Sequence, residues 1–356
     1  MPTIRNPLDF STTLDLTEAV NALEPEYGAI NNSGLFRKKG TTEDAVLYEI
    51  NSGIRSSMVG LTSRRERNTV KNSRGRKKQQ ALYIPYMKHS DQITRDDIKG
   101  IVRDWKDLTV QSVSELYVEK LAGLRRNIEQ SHEYMAFTAT QGITRDPLDG
   151  EPIFNAFDIN GVTQTEVEWY FTNPDFDLIG AIRDLKERLV RANVWGGSIS
   201  SIDVPVGATL FNKIVTHPQF AELYVMAMSG RGQEAINSSR PWADTVMSRY
   251  GITSSFTFDG VRFMTYPSVF RNEDGELIEP VNALEGHTIV RGLTGMYEAR
   301  FAGDNNLDSI GQVGQPIFAW RTPLVDRYQF EIITESAPLY YATHPELIIK
   351  ITGKVA

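Results

Sequence analysis

The chain has 356 residues, 40% hydrophobic and 23% charged, which predicts a folded protein of roughly two compact domains. Cysteine is absent, which excludes disulfides, thiolate nucleophiles and cysteine-ligated zinc or iron-sulfur clusters. The net charge of -7 argues against the whole protein being a tight binder of nucleic-acid phosphates.

The beginning of the chain, residues 1–40, mixes Pro, Asn, Gly and Thr with short apolar pieces such as Leu14, Leu16 and Val20. No period is sustained, so we expect an extended arm that becomes ordered by packing against another part of the molecule or another copy. The first residues lack the pattern of a signal peptide, and no apolar run approaches the ~20 residues of a membrane span. These features predict a protein that stays in the cytoplasm, without a membrane partner.

A strongly basic stretch follows at residues 62–80, with a local charge of +7 and Glu66 as its single acid. The flanking sequences AVLYEINSG and ALYIPYMKHS are strand-like, so the stretch is predicted to be the tip of a long hairpin. The rest of the chain has 30 basic and 44 acidic residues, a net charge of -14. The basic residues are Arg64, Arg65, Arg67, Lys71, Arg74, Arg76, Lys77 and Lys78.

Three interpretations of this basic stretch remain open. It is a solvated loop, a nucleic-acid-binding segment, or a finger that contacts the acidic surface of a neighbouring copy, as the opposite charges favour. The nearest aromatic residues, Tyr83 and Tyr86, lie in the flank and not among the basic residues. The sequence therefore lacks the alternation of rings and charges that stacking on nucleic acid requires.

Residues 111–139 predict a long amphipathic helix, because their apolar side chains recur at three- and four-residue spacings. Such a helix would be about 40 Å long at 1.5 Å per residue, and Gly142 is a plausible end signal. The predicted stripe consists of Val113, Leu116, Tyr117, Leu121, Leu124, Ile128, His132 and Met135.

A hairpin and a second helix are predicted before residue 200. Asn160-Gly161, between β-branched and aromatic residues, predicts a two-residue hairpin turn. A second helix is expected to begin at 173–175, the sequence Asn-Pro-Asp, and to end at the glycines 196–197. Its apolar stripe is Ile179, Ile182, Leu185 and Leu189.

After residue 200 the elements become shorter. A helix is predicted from Pro218 to Met228, and two strands are predicted around a turn at Asp274-Gly275. The end of the chain predicts a strand, a turn and a strand, with prolines at 338 and 345.

The sequence offers no constellation for catalysis. No HExxH, GxxxxGK[ST], GxSxG or strand-linked GxGxxG motif occurs, and the five histidines lack metal-ligand spacing. His132 is predicted to be a packing residue, while His217 and His344 precede proline in loops. The carboxylate pairs are Asp96-Asp97, Asp175 with Asp177, and Glu273-Asp274. Helix starts and a turn explain them, so no catalytic, metal or cofactor site is predicted.

The order of elements resembles the Hong Kong 97-type capsid fold of tailed phages, an α+β fold. Three segments resemble the phage lambda major head protein (capsid E) family: ESAPLYYATHPELIIKITG at 335–353, FMTYPSVFRNEDGELIEPVNALEGHTIVRG at 263–292, and ALYIPYMKHSDQITRDDI at 81–98. The resemblance covers most of the chain from about residue 40 onward. It implies a major capsid protein, a structural protein and not an enzyme.

The resemblance also implies a domain organisation. The N-terminal arm is 1–40, the extended loop 41–95, the peripheral domain 96–199 with about 316–343, and the axial domain 200–315 with about 344–356. In some relatives a loop lysine forms an isopeptide bond with a neighbouring asparagine. Lys71, Lys77 and Lys78 lie in that segment, but the lambda branch generally lacks this bond and we do not predict it.

We therefore expect many copies to form hexamers and pentamers of an icosahedral shell around packaged double-stranded DNA, without sequence-specific DNA binding. The eight basic residues of 62–80 would contact a neighbouring subunit. Expected partners are other copies, a scaffolding protein, a portal and a decoration protein, with assembly in the host cytoplasm. The alternative is a nucleic-acid-binding protein that uses 62–80, and a hydrolase using scattered carboxylates is a residual hypothesis.

Overall fold

The protein is described from a computed structural model. The described residues are 13–50, 78–101, 110–194, 196–220, 254–266, 269–271, 275–306, 310–323 and 330–354. The helices in these ranges are α1 (Thr17–Asn21), α2 (Arg95–Ile101), α3 (Val110–Thr140), α4 (Ala156–Asn160), α5 (Leu178–Ala192) and α6 (Ala208–Val215).

The same ranges contain twenty strands. They are β1 (Leu14–Asp15), β2 (Arg37–Gly40), β3 (Ala45–Ile50), β4 (Lys78–Tyr83), β5 (Met87–Ile93), β6 (Ile143–Arg145), β7 (Pro152–Asn155), β8 (Glu166–Tyr170), β9 (Ser201–Val206), β10 (Ser255–Phe258), β11 (Val261–Thr265), β12 (Phe270–Arg271), β13 (Leu277–Ile278), β14 (Glu285–His287), β15 (Ile289–Arg291), β16 (Tyr297–Phe301), β17 (Phe318–Pro323), β18 (Phe330–Ser336), β19 (Pro338–Ala342) and β20 (Lys350–Lys354).

The chain forms two compact units. The first contains Met1–Val46, Leu82–Met135 and Ala299–Tyr340. The second contains Leu47–Ala81, Ala136–Glu298 and Tyr341–Ala356. Each unit is thus assembled from segments far apart in the sequence.

The core of the first unit lies between α3 and an antiparallel sheet of order β1-β17-β18-β5. The apolar stripe of α3 packs against Leu16 and Val20 from the N-terminal segment and against Ile93, Ala319 and Ile332 from the sheet. All eight predicted stripe residues are buried. The long helix is therefore confirmed, one residue longer at each end than predicted.

The core of the second unit is built on a mixed sheet of order β10-β11-β9-β14-β20-β8, with β15 also paired to β9. β11 is parallel to β9 and β20 is parallel to β8. The buried carboxylate of Asp203 on β9 binds Arg262 at 3.1 Å and Arg291 at 2.5 Å. Because these partners lie on β11 and β15, this ion-paired cluster links three neighbouring strands.

The hairpin predicted at Asn160-Gly161 is wrong. Asn160 instead ends the short helix α4. The Asn155 side chain caps the start of this helix by accepting a hydrogen bond from the Phe157 N–H at 3.0 Å. Gly161 ends the helix in the left-handed region, at φ 64°. A glycine in the left-handed region is common both at helix ends and in tight hairpin turns. The dipeptide Asn160-Gly161 alone therefore does not distinguish a helix end from a hairpin.

The second predicted helix exists with different ends. Asn173 closes a turn by accepting the Asp175 N–H, and α5 begins only at Leu178, where Asp177 accepts the Gly180 N–H at 3.0 Å. The helix ends at Ala192 and not at the glycines 196–197. Its predicted stripe is buried at Ile182, Leu185 and Leu189, and half-buried at Ile179.

The remaining predictions are confirmed where the structure describes them. Pro218–Phe220 is helical, and the rest of the helix predicted to Met228 lies outside the described residues. β12 and β13 pair around Gly275, at φ 80°, whereas Asp274 lies outside the described residues. The end of the chain consists of strands β18 and β19, a 3-10 turn and strand β20.

Candidate functional site

The predicted basic hairpin is described only at its base. β3 and β4, the strands on either side of it, pair as a two-stranded sheet, as predicted. Of the eight basic residues, seven lie outside the described residues, namely Arg64, Arg65, Arg67, Lys71, Arg74, Arg76 and Lys77. Lys78 begins β4, but its side chain is not among those described. Their contact with a neighbouring subunit therefore stays a prediction.

One residue fixes the base of this hairpin within the second unit. The ring of Tyr48 is buried against Phe154 and Tyr341, with centroid distances of 5.3 and 5.6 Å. Its hydroxyl accepts a hydrogen bond from Asn160 Nδ2 at 2.8 Å and donates to the Ala342 carbonyl at 3.3 Å. Burial raises the pKa of Tyr48 to about 12, so the hydroxyl keeps its proton at neutral pH.

The other side of the hairpin base carries large apolar side chains in solvent. Leu47 is 65% exposed and Tyr83 is 80% exposed. An isolated two-stranded hairpin is at best marginally stable in water, and exposed apolar side chains beside one suit an interaction surface. The sequence contained this signal, since alternation in AVLYEI places Tyr48 on one face and Leu47 on the other.

The N-terminal segment is held by two buried glutamates that sequence reasoning missed. Glu133 is 1% exposed, and its carboxylate accepts the backbone N–H groups of Ile30 and Asn31 at 2.7 and 2.9 Å. Glu129, one turn earlier on α3, accepts the N–H of Glu26 at 2.9 Å. The described part of the predicted arm therefore packs against α3 of its own chain.

Two arginines of α3 strengthen this attachment. Arg125 donates to the Val20 carbonyl and to Glu129. Arg126 binds Glu26 through two hydrogen bonds, at 2.6 and 3.1 Å. These charged residues lie outside the apolar stripe of α3, so the pattern that identified the stripe gave no sign of their role.

Two of the histidines, His132 and His287, are buried. Ser336 Oγ donates to the Pro316 carbonyl, so it accepts from Nε2 of His132 at 2.8 Å. Burial, assisted by the positive charge of Lys38, lowers the pKa of His132 to about 3. His287 is also buried, and its pKa is lowered to about 4. Both rings are neutral at pH 7, and the packing role predicted for His132 agrees with its position.

Two carboxylates of the predicted pairs accept hydrogen bonds from backbone N–H groups. Asp97 accepts the backbone N–H and hydroxyl of Thr94 at 2.7 and 2.8 Å, which lowers its pKa. Asp177 caps α5, and the Gly180 N–H lowers its pKa. Within the described ranges, no three His, Asp or Glu side chains are placed to hold a metal ion. No helix of the described chain is long and apolar enough to cross a membrane.

The family model for phage major capsid protein E matches residues 12–353. The chain belongs to this family. A curated relative, the major capsid protein of Salmonella phage Felix O1, is 22% identical over 95% of both chains. The predicted family, the structural role and the absence of enzyme function are thereby confirmed.

Solved capsid proteins share the fold. The capsid of Ralstonia phage GP4 aligns with a TM-score of 0.52 at 9% identity, covering 94% of this chain and 92% of that one. The capsid protein of a prophage of E. coli CFT073 aligns with a TM-score of 0.53 at 15% identity, covering 78% and 80%. The α+β Hong Kong 97-type fold is thereby confirmed.

Proposed function

We propose that copies of this major capsid protein form hexamers and pentamers that close into an icosahedral shell around a packaged double-stranded DNA genome. The family match over residues 12–353 carries the proposal. A scaffolding protein, a portal and a decoration protein would act with it, and assembly would take place in the host cytoplasm. The net charge of -7 would limit trapping of the packaged DNA.

The domain assignment is part of this proposal. The extended loop is 41–95, the peripheral domain is 96–199 with about 316–343, and the axial domain is 200–315 with about 344–356, after an arm at 1–40. The packing of α3 against Ile317, Ala319 and Ile332 supports joining 316–343 to the peripheral domain. The pairing of β14 with β20 supports joining the last residues to the axial domain.

The basic segment 62–80 would contact a neighbouring subunit. Two observations support this role: its charge of +7 opposes the -14 of the rest of the chain, and the base of its hairpin exposes Leu47 and Tyr83. Opposite charges favour correct encounter, and their effect is screened within about 8 to 10 Å at physiological salt. The comparisons do not favour the alternative of a nucleic-acid-binding protein.

A variant with Arg74, Arg76, Lys77 and Lys78 changed to Gln tests this contact. We expect it to remain folded and to assemble into fewer shells in sedimentation and electron microscopy, while DNA binding by the unassembled subunit changes little. A matched control changes four basic residues elsewhere, Arg183, Lys186, Arg188 and Arg191 of α5, to Gln. Undiminished assembly of the loop variant, together with loss of strong DNA binding, would support the nucleic-acid alternative instead.

A further inference from the structure

Two edge strands of the described structure carry opposite charges. β2, with the sequence Arg-Lys-Lys-Gly, is the last strand of a sheet of order β19-β16-β2, and all four of its residues are exposed. β8, with the sequence Glu-Val-Glu-Trp-Tyr, is the last strand of the second unit's sheet. Among the described residues each strand has one neighbour, β16 for β2 and β20 for β8. An exposed strand edge accepts an added strand through main-chain hydrogen bonds, and charged side chains limit unselective pairing.

The backbone of β8 alternates between its neighbour β20 and the open side. The Lys350 N–H donates to the Thr165 carbonyl, and the Phe171 N–H donates to the Lys354 carbonyl. The odd-numbered residues of β8 therefore direct their backbone groups toward β20, and the even-numbered residues direct theirs outward. The side chains of these outward residues lie on the exposed face of the strand, namely Glu166, Glu168 and Tyr170.

The backbone of β2 alternates in the same way. The Thr41 N–H, one residue beyond the strand, donates to the Phe301 carbonyl of β16 at 2.8 Å. The odd-numbered residues of β2 therefore direct their backbone groups toward β16, while Lys38 and Gly40 direct theirs to the open side. Phe36, just before the strand, is buried and shares the parity of Lys38. The side chains on the opposite, solvent-facing side of the strand are Arg37 and Lys39.

We propose that β2 of one copy adds to the open edge of β8 in a neighbouring copy as a parallel strand, with Lys39 opposite Glu168. In a parallel pair, opposite residues place their side chains on the same face, and only one of the two directs its backbone groups to the other strand. Arg37 then lies opposite Glu166. The Lys38 N–H donates to the Glu166 carbonyl, and the Glu168 N–H donates to the Lys38 carbonyl.

This register brings opposite charges together on the exposed faces of the two sheets. Within its own chain Glu168 binds Lys354 at 3.1 Å, and Glu166 lies 3.7 Å from Lys350. The two solvent-facing basic residues of the neighbour's β2 would extend these pairs into rows across three strands. Opposite charges on neighbouring strands stabilise a sheet and favour the correct register.

The faces of the two strands select the parallel orientation. In an antiparallel pair, opposite residues both direct their backbone groups to the partner strand or both direct them away. Lys38 would then lie opposite a glutamate, and Arg37 would lie opposite an odd-numbered residue of β8 such as Trp169. Because Trp169 is fully buried, the charge of Arg37 would be turned to the buried face, where an unpaired charge is costly.

A contact between two different edges joins copies head to tail. Such a heterologous contact generates a ring where the rotation between copies closes. Each copy would offer β2 to one neighbour and β8 to the other, which suits hexamers and pentamers alike. The inference rests on the proposed assembly into such rings and names the strands at which two copies meet. It does not involve the basic segment 62–80.

A cysteine pair tests the contact, since the chain has no native cysteine. Full-length chains that carry both Lys39→Cys and Glu168→Cys are oxidised as soluble oligomers and as particles. Adjacent strands lie about 4.8 Å apart, within the Cα separation of a disulfide. We expect covalent multimers on a non-reducing denaturing gel, which disappear on reduction. Absence of a cross-link, or a cross-link without an increase in mass, overturns the contact between neighbouring copies.

The matched control replaces Glu168→Cys with Thr165→Cys in the same background. In the proposed register residue 165 lies about 10 Å farther along the strand than residue 168, at roughly 3.3 Å per residue, which is too far for a disulfide with residue 39. The control should therefore stay monomeric on the gel. Cross-linking of the control instead of the Lys39→Cys, Glu168→Cys chain overturns the parallel register.

Hydrogen exchange tests the backbone pairing in the unsubstituted chain. The N–H groups of Glu168 and Tyr170 should exchange at least about tenfold more slowly in particles than in the soluble subunit, because they gain carbonyl acceptors. The Trp169 N–H faces β20 in both states and should change less than about twofold. Unchanged exchange of Glu168 and Tyr170 in particles overturns the pairing.

Failure of the pairing is distinguishable from failure of the shell function. Closed shells without the cross-link overturn the pairing and leave the shell function standing. Cross-linked rings that never close support the pairing and contradict the shell. Subunits that neither cross-link nor assemble overturn both.

Discussion

Replacing Glu133 with Ala should release the N-terminal segment from α3. The substitution removes the acceptors of two buried N–H groups, those of Ile30 and Asn31. A buried donor left without a partner costs about 1–3 kcal/mol. The local stability of the segment should therefore fall by about 2–6 kcal/mol, and its smaller limit corresponds to roughly a 30-fold change in an equilibrium constant.

Hydrogen exchange of residues 16–31 measures this change directly, because it reports local opening. Protection should fall about 30-fold or more in Glu133→Ala. Glu119→Ala is the matched control, since Glu119 lies on the exposed side of the same helix, and surface substitutions usually stay within about 0.5 kcal/mol. A loss below threefold in Glu133→Ala, or an equal loss in the control, would refute the role assigned to the buried carboxylate.

Three further changes have defined outcomes. Tyr48→Phe should lower the opening free energy of the hairpin base, measured by hydrogen exchange, by about 1–2 kcal/mol, because two hydrogen bonds of the hydroxyl are lost. An unchanged opening free energy would contradict the role of Tyr48 in fixing the hairpin base. Burial lowers the pKa of His132 from its ordinary value of 6.5 to about 3 in the folded protein. The unfolded chain therefore takes up the proton first, and stability falls as pH drops from about 6.5 toward 3. His132→Leu should remove about 2 kcal/mol of the acid destabilisation between pH 6.5 and 5 in denaturant titrations, and an identical pH profile would count against this. Leu47→Ser with Tyr83→Ser should leave the unassembled subunit as stable as before but reduce shell yield in sedimentation, whereas full yield would remove the hairpin base from the assembly surface.

The sequence predicted the elements whose signal is local. The 3.6-residue period of α3 located it to within one residue at each end, since every stripe side chain is buried on one face. The dipeptide Asn160-Gly161 failed because the decisive interaction is the cap from Asn155. The start of α5 was misplaced for a similar reason, as Asp177 and not Asn173 caps the helix.

The long-range contacts could not be predicted from the sequence pattern. Glu129 and Glu133 bind backbone groups about a hundred residues earlier in the chain, and a backbone N–H leaves no mark in the side-chain pattern. The place of β8 in its sheet is likewise defined by pairing with β20, far along the chain. The order of elements and the resemblance of three segments were enough to indicate the family, whereas the residues that fix the arm and the hairpin base are identified by contacts between segments far apart in the sequence.

Electron microscopy of the purified, overexpressed protein tests the central claim most directly. Shell assembly predicts closed particles of uniform size, built of hexameric and pentameric clusters, in samples with or without a scaffolding protein. Their formation should depend on salt, because opposite charges of the basic segment and the rest of the chain would guide early contacts. Soluble monomers at every salt and protein concentration, in both kinds of sample, would contradict the account.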